Sequence, residues 1–239
     1  MTQYVFFFDL DGTLVDSLED LANAANRVLA LHAPHKPLVL KDFVRSAIGD
    51  GSRIFISKIF NATDLEEITF YEKIYHEDYV ANCAVETKLY AEMLETLECL
   101  QLKKIPMAVI SNKPVKLVEK ILATLKLTSY FFAILGGDSA AAPKPNPDVF
   151  RLATQKLNRS IAPQYIVHVG DGTQDIQAAK NYGCISCWAS WGFNQDHSLG
   201  PDLVAHQPKD IIEIADALSR NHFSTENFPA RFRYDRNQF

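Results

Sequence analysis

The chain has 239 residues, of which 47% are hydrophobic and 22% charged, and this composition excludes an intrinsically disordered protein. Its length allows one sizeable α/β domain, or a core domain that carries a smaller inserted one. The formal net charge of −5 argues against nucleic acid as a partner, because phosphate backbones are held by clustered Lys and Arg.

Short apolar runs, each followed by a turn and a helical pattern, predict a parallel sheet. The first run, residues 4–8, is too short to span a bilayer or to serve as a signal sequence, so we expect a cytoplasmic protein without membrane contact. Further strands are predicted at 107–111, 132–135, 166–169 and 184–188, with a short sixth at 203–205. The helices predicted beside them are 115–125, 148–157, 173–181 and 210–219.

Residues 17–83 interrupt this alternation, because they show helical periodicity and no convincing strand. Four helices are predicted there, near 18–31, 41–48, 52–60 and 65–81, before a helix at 91–102 returns the chain to the sheet. We therefore expect an α/β core of residues 1–16 and 84–220 with a helical cap of residues 17–83. A bundle rooted in the first βα loop would lie over the carboxyl ends of the strands, where open sheets bind ligands.

The segment 221–239 shows neither helical nor strand periodicity and mixes aromatic residues with Arg. Its order is left open. It is either a loosely ordered terminus or a segment that packs on the core or on a second subunit. We expect the protein to be a monomer or a homodimer.

Two acids stand where the first predicted strand ends, in the run FDLDGT. Asp9 and Asp11 are two residues apart, so their side chains should point to the same side, and Gly12 and Thr13 form the turn beyond. Helix capping or turn formation explains a single Asp-Gly pair. It explains two acids followed by Thr poorly, which favours a functional site.

Polar residues also follow the later strands. The second strand ends in Ser111 and Asn112, a loop with two prolines holds Lys144, and the fourth strand ends in Asp171, with Asp175 four residues on. Taken one at a time, Ser111 and Asn112 are better explained as helix caps and Lys144 as a solvated charge, and the two later acids could also cap a helix. Because parallel strands end at the same edge of a sheet, however, all of them should meet the first two acids at one rim.

Such a rim requires a cation. Each pair of carboxylates about 4 Å apart repels by roughly 4 kcal/mol at an effective dielectric constant of 20, so three close acids cost on the order of 12 kcal/mol. A divalent cation removes that cost, and ligands that are all oxygen indicate Mg²⁺. Together with Lys144, it could bring an anionic ester to an anionic nucleophile.

The motifs resemble those of the haloacid dehalogenase superfamily, whose phosphatases share a DxDGT run, a later Ser or Thr, a Lys and a GDxxxD pair. The runs DGTLVDS, SNKP, GGDS and KPNP are most similar to those of phosphoglycolate phosphatases. The resemblance covers residues 6 to about 219. It implies a Rossmann-like, doubly wound parallel α/β core with an inserted α-helical cap, and a Mg²⁺-dependent phosphatase acting on a small phosphorylated metabolite.

The resemblance also implies roles for the four acids. Asp9 would be the nucleophile and a metal ligand, and it would carry the phosphoryl group as an aspartyl phosphate. Asp11 would act as general acid and then base, and its backbone carbonyl would bind the metal. Asp171 would complete the protein ligands, and Asp175 would hold metal-bound water or orient its neighbours.

The remaining core residues would bind the phosphoryl group. By the same resemblance, Ser111, Asn112 and Lys144 would grip it and neutralise the phosphoaspartate, beside the turn formed by Gly12 and Thr13. The first substrate to consider is 2-phosphoglycolate, and sugar phosphates, nucleoside monophosphates and pyrophosphate are the others.

Substrate choice would depend on the cap, where the resemblance points to the loop 48–53. Gly49 and Gly51 flank Asp50 and would let this loop bend. Arg53 is the candidate for binding a substrate anion, although a solvated helix charge explains it equally well. Cap closure would exclude water from the site.

Two other functions remain open. A phosphomutase acting on a sugar phosphate would use the same aspartyl phosphate, and a non-catalytic relative would bind phosphate or metal without turnover. The dehalogenase branch is disfavoured, because the resemblance places an acid at position 11 where those enzymes lack one.

Overall fold

The computed structural model describes residues 4–49, 51–194, 196, 198–220 and 228–235. In chain order its strands are β1 (Val5–Phe8), β2 (Val15–Asp16), β3 (Lys88–Leu89), β4 (Met107–Ile110), β5 (Ala133–Leu135), β6 (Ile166–Gly170), β7 (Ile185–Ala189) and β8 (Leu203–Ala205). Its α-helices are α1 (Leu18–His32), α2 (Lys41–Ala47), α3 (Ser52–Phe60), α4 (Leu65–Asn82), α5 (Met93–Leu102), α6 (Val115–Thr124), α7 (Asp148–Gln155), α8 (Thr173–Tyr182) and α9 (Asp210–Arg220).

Six parallel strands form one sheet in the order β5-β4-β1-β6-β7-β8. The chain builds outward from β1 through β4 to β5, then returns to the other side of β1 and continues through β6. The order therefore reverses at β1, and open α/β sheets bind ligands beyond the carboxyl ends of the strands at such a point. The predicted fold class, a doubly wound parallel sheet with a helical insertion, is confirmed.

Both faces of the sheet are covered by helices. Side chains of β1 alternate between two buried clusters, since Phe6 and Phe8 belong to one and Val5 and Phe7 to the other. The first cluster includes apolar residues of α5, α6 and α9, and the second includes residues of α7 and α8. Burial on both faces explains why these strands are continuous apolar runs rather than alternating ones.

Helices α1 to α4 lie between β2 and β3 in the chain and pack on one another. Aromatic residues fill the space between α3 and α4. The rings of Phe60 and Tyr71 stack with centroids 4.4 Å apart, and those of Phe55 and Tyr75 pack with centroids 5.4 Å apart. The boundaries 17 and 83 for a separate cap domain stay a prediction.

The two chain segments that enter and leave this helical insertion are fastened together. Strands β2 and β3 pair antiparallel, a feature the sequence did not reveal because two-residue strands carry no periodicity. The buried carboxylate of Asp20 in α1 accepts hydrogen bonds from the backbone N–H groups of residues 85–87, at 2.9 to 3.1 Å, and from the Thr87 hydroxyl at 2.7 Å. The insertion is thus anchored at its root.

The described part of the C-terminal segment, residues 228–235, lies against the sheet. Phe228 and Phe232 are buried, Arg233 forms an antiparallel bridge with Leu203 of β8, and Arg231 forms an ion pair with Glu213 of α9. Residues 221–227 and 236–239 of the predicted tail lie outside the described residues.

Candidate active site

A cavity of about 550 Å³ opens at the carboxyl ends of β1, β4 and β6. Its walls come from those strand ends and from α2, α3 and α4. Seven of the residues predicted from the sequence line it: Asp9, Asp11, Ser111, Asn112, Lys144, Asp171 and Asp175. The reversal of strand order at β1 brings these distant segments together.

Lys144 lines the cavity and is buried. Its Nζ is 2.7 Å from Asp9 Oδ1 and 2.5 Å from Asp175 Oδ1, and it donates to the carbonyl of Ile110 at 2.8 Å. Burial alone would lower the pKa of Lys144, but the two carboxylates outweigh it and raise the pKa. The lysine therefore carries a permanent positive charge between two acids.

Asp9 follows β1 and is buried beside this lysine. Burial raises the pKa of its carboxyl from 3.8 to about 7, because the loss of water outweighs the attraction of Lys144, and Asp175 and Asp11 add to the rise. Additional positive charge near Asp9 would therefore favour its ionised form, which is the form that can act as a nucleophile.

Asp175, in the first turn of α8, is the acid of this group whose negative charge is best balanced by its neighbours. Its Oδ1 contacts Lys144 and lies 2.8 Å from His168 Nε2, and its Oδ2 accepts from the backbone N–H of Gly172 at 3.0 Å. Burial would raise the pKa of Asp175, but Lys144, followed by His168, outweighs it and lowers the pKa. His168 received no role in the sequence analysis, because a histidine within an apolar strand looks like a core residue.

Asp171 follows β6 and is held by the backbone of a neighbouring loop. Its Oδ2 accepts from the N–H groups of Phe193 at 2.7 Å and Asn194 at 3.1 Å. Burial, and next Asp9, raise the pKa of Asp171 well above 3.8. Among the described residues no cation pairs with this carboxylate directly.

Gly12 and Thr13 lie against Asp171 and are not among the described residues that line the cavity. The Thr13 hydroxyl is 3.4 Å from Asp171 Oδ1. Gly12 has φ +81°, and a Cβ there would stand 2.4 Å from Asp171 Oδ2, so only glycine fits. Both residues therefore support the position of this acid.

The three buried acids form a candidate cation site. Asp9, Asp171 and Asp175 each offer a carboxylate oxygen, and these oxygens lie within 4.8 Å of one another. One lysine cannot balance three carboxylates, and Asp9 and Asp175 add to the rise that burial causes in the pKa of Asp171. Oxygen donors in this number suit a hard divalent cation, so the residues present fit a divalent metal site.

Asp11 lies apart from this group. Its Oδ1 accepts from the Ser17 hydroxyl at 2.5 Å, and its Oδ2 is 3.0 Å from Nζ of Lys113. Lys113 in turn donates to the hydroxyl of Tyr79 in α4 at 3.0 Å. The sequence analysis gave no role to Ser17 or Lys113, although both lie in runs it quoted, DGTLVDS and SNKP.

Ser111 and Asn112 follow β4, as expected, but they differ in what they contact. The buried Ser111 hydroxyl accepts from the backbone N–H of Lys113 at 3.2 Å and faces the cavity. The Asn112 amide is bonded to backbone groups, since Nδ2 donates to the carbonyls of Gly49 and Lys144, both at 3.0 Å. Asn112 therefore links the loop that carries Lys144 to the cap.

Arg53 does not reach the cavity in this structure. Its side chain is 67% exposed and forms an ion pair with Glu72 of α4, with Nε and Oε2 3.3 Å apart. Arg45 of α2 lines the cavity instead. Gly49 and Gly51 of the predicted loop also line it, with φ +120° and +92°, and Asp50 lies outside the described residues.

Comparison with known proteins identifies close relatives. The profile of the haloacid dehalogenase-like hydrolases matches residues 6–189. The phosphoglycolate phosphatase of Aquifex aeolicus (strain VF5) is 36% identical over 216 residues, which cover 89% of this chain and 96% of that protein. The phosphoglycolate phosphatase of Escherichia coli (strain K12) is 31% identical over 229 residues, which cover 86% and 89%.

Solved structures agree with this. The crystal structure of a predicted phosphoglycolate phosphatase from Haemophilus somnus 129pt has a TM-score of 0.82 and 31% identity, and the match covers 90% of this chain and 99% of that one.

Within the part of the chain that the structure describes, no helix has both the length and the apolar character needed to cross a bilayer.

Proposed function

The chain belongs to the haloacid dehalogenase-like hydrolases and is a phosphatase of a small phosphorylated substrate, and from this premise we propose that it hydrolyses 2-phosphoglycolate with Mg²⁺ through a phosphorylated Asp9. The observation that carries the proposal is the position of Lys144, which contacts Asp9 and Asp175 beside Asp171 in one cavity. The names of the relatives support the choice of substrate.

The proposed metal ligands are the carboxylates of Asp9, Asp171 and Asp175, with the backbone carbonyl of Asp11. When bound, Mg²⁺ would supply positive charge that draws a substrate phosphate towards Asp9 and offsets charge on the phosphoryl oxygens. Mg²⁺ is proposed over softer cations because no Cys or His belongs to the described cluster.

In the proposed first step, a carboxylate oxygen of Asp9 forms a bond to phosphorus while the ester P–O bond breaks. Asp11 gives its proton to the departing oxygen, which leaves as the alcohol, here glycolate. Lys144 and the Ser111 hydroxyl hold the phosphoryl oxygens, and the ammonium group of Lys144 compensates charge on the phosphorylated aspartate.

In the second step, water attacks phosphorus and the bond to the Asp9 oxygen breaks, releasing inorganic phosphate. Asp11, now a carboxylate, takes the proton of the attacking water and so returns to its starting state. The covalent route divides one displacement into two steps at the same centre. Asn112, Gly12 and Thr13 contribute by keeping Lys144 and Asp171 in place.

The test is phosphate release from a panel of phosphorylated metabolites, with Mg²⁺ and with EDTA. We expect 2-phosphoglycolate to give the highest kcat/KM, and Asp9→Asn to lower it more than about a thousandfold, as loss of a nucleophile does elsewhere. Asp148→Asn, in a half-exposed acid whose side chain pairs, among the described residues, with Arg151 across one helical turn, is the matched control and should retain activity.

Three results would contradict parts of the proposal. Hydrolysis that survives in Asp9→Asn would remove Asp9 as the nucleophile. A sugar phosphate that is isomerised with little free phosphate would indicate a phosphomutase instead. Binding of Mg²⁺ or phosphate without turnover of any compound in the panel would indicate a non-catalytic relative.

A further inference from the structure

Lys113 joins the predicted general acid to the helical insertion. Its Nζ is 3.0 Å from Asp11 Oδ2 and donates to the Tyr79 hydroxyl at 3.0 Å. The same Nζ lies 4.6 Å from the centre of the Tyr79 ring, a cation–π contact. Lys113 follows β4 of the sheet, whereas Tyr79 belongs to α4, so one side chain spans both parts of the fold.

This contact is shielded from water. The side chains of Lys113 and Asp11 are 7% and 11% exposed, and Tyr79 is buried. A polar contact in such surroundings meets little competition from water and therefore fixes the geometry of its partners more firmly than a surface contact does. Asp11 is therefore held in a defined orientation.

The other oxygen of Asp11 is also bonded to a group near the insertion. Ser17, which donates to Oδ1, is the residue immediately before α1. Both carboxylate oxygens of Asp11 are thus fixed by residues tied to the insertion, one at its root and one through α4. A change in the position of the insertion would alter both contacts.

We propose that Lys113 is a positioning residue for Asp11, and that its hydrogen bond to Tyr79 makes the orientation of the acid depend on the seating of α4. The proposal rests on the proposed function, because it takes Asp11 as the group that protonates the departing oxygen. Misplacement of a reacting group by about 1 Å can cost as much as about a hundredfold in rate. Loss of either contact of Lys113 would permit such a displacement.

The leaving group of the substrate can be varied to distinguish a positioning role of Lys113 from simple structural support. A poor leaving group needs the proton of Asp11, whereas 4-nitrophenolate departs without it. The ratio kcat/KM is suited to the comparison, because it reports the steps through departure of the alcohol or phenol and not the later hydrolysis of phosphorylated Asp9. Phenyl and 4-nitrophenyl phosphate have similar shapes and both lack a carboxylate, so a cation in the cavity wall cannot favour one by charge.

The principal variant is Lys113→Met, which keeps the apolar stem and removes the ammonium group. General acid catalysis contributes about a hundredfold or more, so we expect kcat/KM for phenyl phosphate to fall at least about tenfold more than for 4-nitrophenyl phosphate. Tyr79→Phe, which keeps the ring, should shift the ratio in the same direction by less. Asp11→Asn serves as the reference for complete loss of the acid.

Lys120→Met is the matched control. Lys120 also reaches from the core to α4, where it donates to the carbonyls of Val80 and Ala81, but within the described part of the chain it makes no contact with Asp11. It should leave the ratio between the two esters unchanged. Thermal unfolding of each variant, with Mg²⁺ present, checks that the fold is retained, and Tyr79→Phe decides the question if Lys113→Met does not fold.

The outcomes are distinguishable. If Lys113→Met and Tyr79→Phe lower kcat/KM for both esters by the same factor, or not at all, while Asp11→Asn shifts the ratio, the inference about Lys113 is overturned and the proposed function stands. If the wild-type protein releases no phosphate with Mg²⁺ from 2-phosphoglycolate or from either ester, or if Asp11→Asn leaves the ratio unchanged, the proposed function is contradicted instead.

Discussion

Asn112 and Lys144 are joined by two hydrogen bonds. The backbone N–H of Lys144 donates to Asn112 Oδ1 at 2.8 Å, and Asn112 Nδ2 donates to the Lys144 carbonyl at 3.0 Å. The same Nδ2 donates to the carbonyl of Gly49 in the insertion at 3.0 Å. One amide therefore aligns the loop that carries the central lysine and connects it to the cap.

Replacing Asn112 with Ala should lower both stability and activity. The loss leaves backbone groups of the loop without their partner, which costs about 1–3 kcal/mol in the free energy of unfolding. We expect kcat/KM to fall at least about tenfold, because Lys144 would lose its alignment. Chemical denaturation and steady-state kinetics measure the two effects.

Asn181→Ala is the control for this variant. Asn181 bonds the same loop from outside, donating to the carbonyl of Pro145 at 2.9 Å, but the contact is exposed to solvent. It should change kcat/KM by less than about twofold, as surface substitutions usually do. Equal losses in the two variants would show that loop stability, rather than the alignment of Lys144, controls the rate.

The buried carboxyl of Asp9 should make the stability of metal-free protein depend on pH. Burial raises the pKa of Asp9 from 3.8 in the unfolded chain to about 7, so the folded state binds this proton more tightly. Asp9 therefore favours folding below its unfolded pKa, and that contribution is lost as the pH rises through about 7. With EDTA, the free energy of unfolding should fall more steeply with pH than in Asp9→Asn.

Mg²⁺ should offset this loss in the free energy of unfolding, because a ligand that binds the folded state and not the unfolded state stabilises the folded state. The stabilisation by Mg²⁺ should therefore be larger at pH 8 than at pH 5.5, conditions chosen to lie either side of the pKa of about 7 for Asp9. Urea denaturation at each pH, with and without Mg²⁺, gives the comparison. A wild-type pH dependence identical to that of Asp9→Asn would show that Asp9 is not the group responsible.

The root of the insertion should be a point of high stability. Asp20 accepts hydrogen bonds from three successive backbone N–H groups and one hydroxyl, so Asp20→Ala leaves several buried donors unpaired. We expect the free energy of unfolding to fall by on the order of 3 kcal/mol. Asp216→Ala, which breaks only a half-exposed ion pair with Lys103, should cost less than about 1 kcal/mol.

Gly12 should tolerate no side chain, for a reason separate from backbone strain. Gly12 and Gly183 have similar φ angles, +81° and +83°, but a Cβ at Gly12 would overlap Asp171, whereas a Cβ at Gly183 would meet only Cβ of Pro163 at 3.9 Å among the described residues. Both Ala variants should lose about 1–2 kcal/mol from the left-handed conformation. Only Gly12→Ala should also lower kcat/KM, by at least about tenfold, because it displaces Asp171.

The two arginines near the cavity should differ in their effect on substrate binding. Arg45 lines the cavity, whereas Arg53 points to solvent and pairs with Glu72. Arg45→Ala should raise KM for 2-phosphoglycolate about tenfold, the loss expected for a charged hydrogen bond. Arg53→Ala should leave KM within about twofold. The reverse result would show that Arg53 moves into the cavity when substrate binds.

The parallel sheet could be predicted because strands buried on both faces are read directly as apolar runs, whereas its doubly wound order was implied by the family resemblance. The meeting of Asp9, Asp171 and Lys144 followed from the same reasoning, since the ends of parallel strands share one edge. The pairing of β2 with β3 could not be predicted, because its four residues carry no detectable period. The roles of the acids stay predictions until the variants are measured.

The contacts between the core and the insertion could not be predicted from the sequence. The bond from Lys113 to Tyr79 depends on how α4 approaches the end of β4, and nothing local in SNKP encodes that approach. The direction of Arg53 likewise depends on the packing of α3 against α4, which places Glu72 within its reach. Such features arise from long-range packing and not from local propensity.

The segment 228–235 has a consequence for how the protein behaves at high concentration. Strand β8 is the last in the sheet, and an uncovered last strand is a template on which another chain can add by backbone pairing. The bridge between Leu203 and Arg233 occupies part of that margin, and Phe228 and Phe232 bury apolar surface beside it. A stretch of sequence with no periodicity of its own thereby covers part of the edge on which another chain could pair.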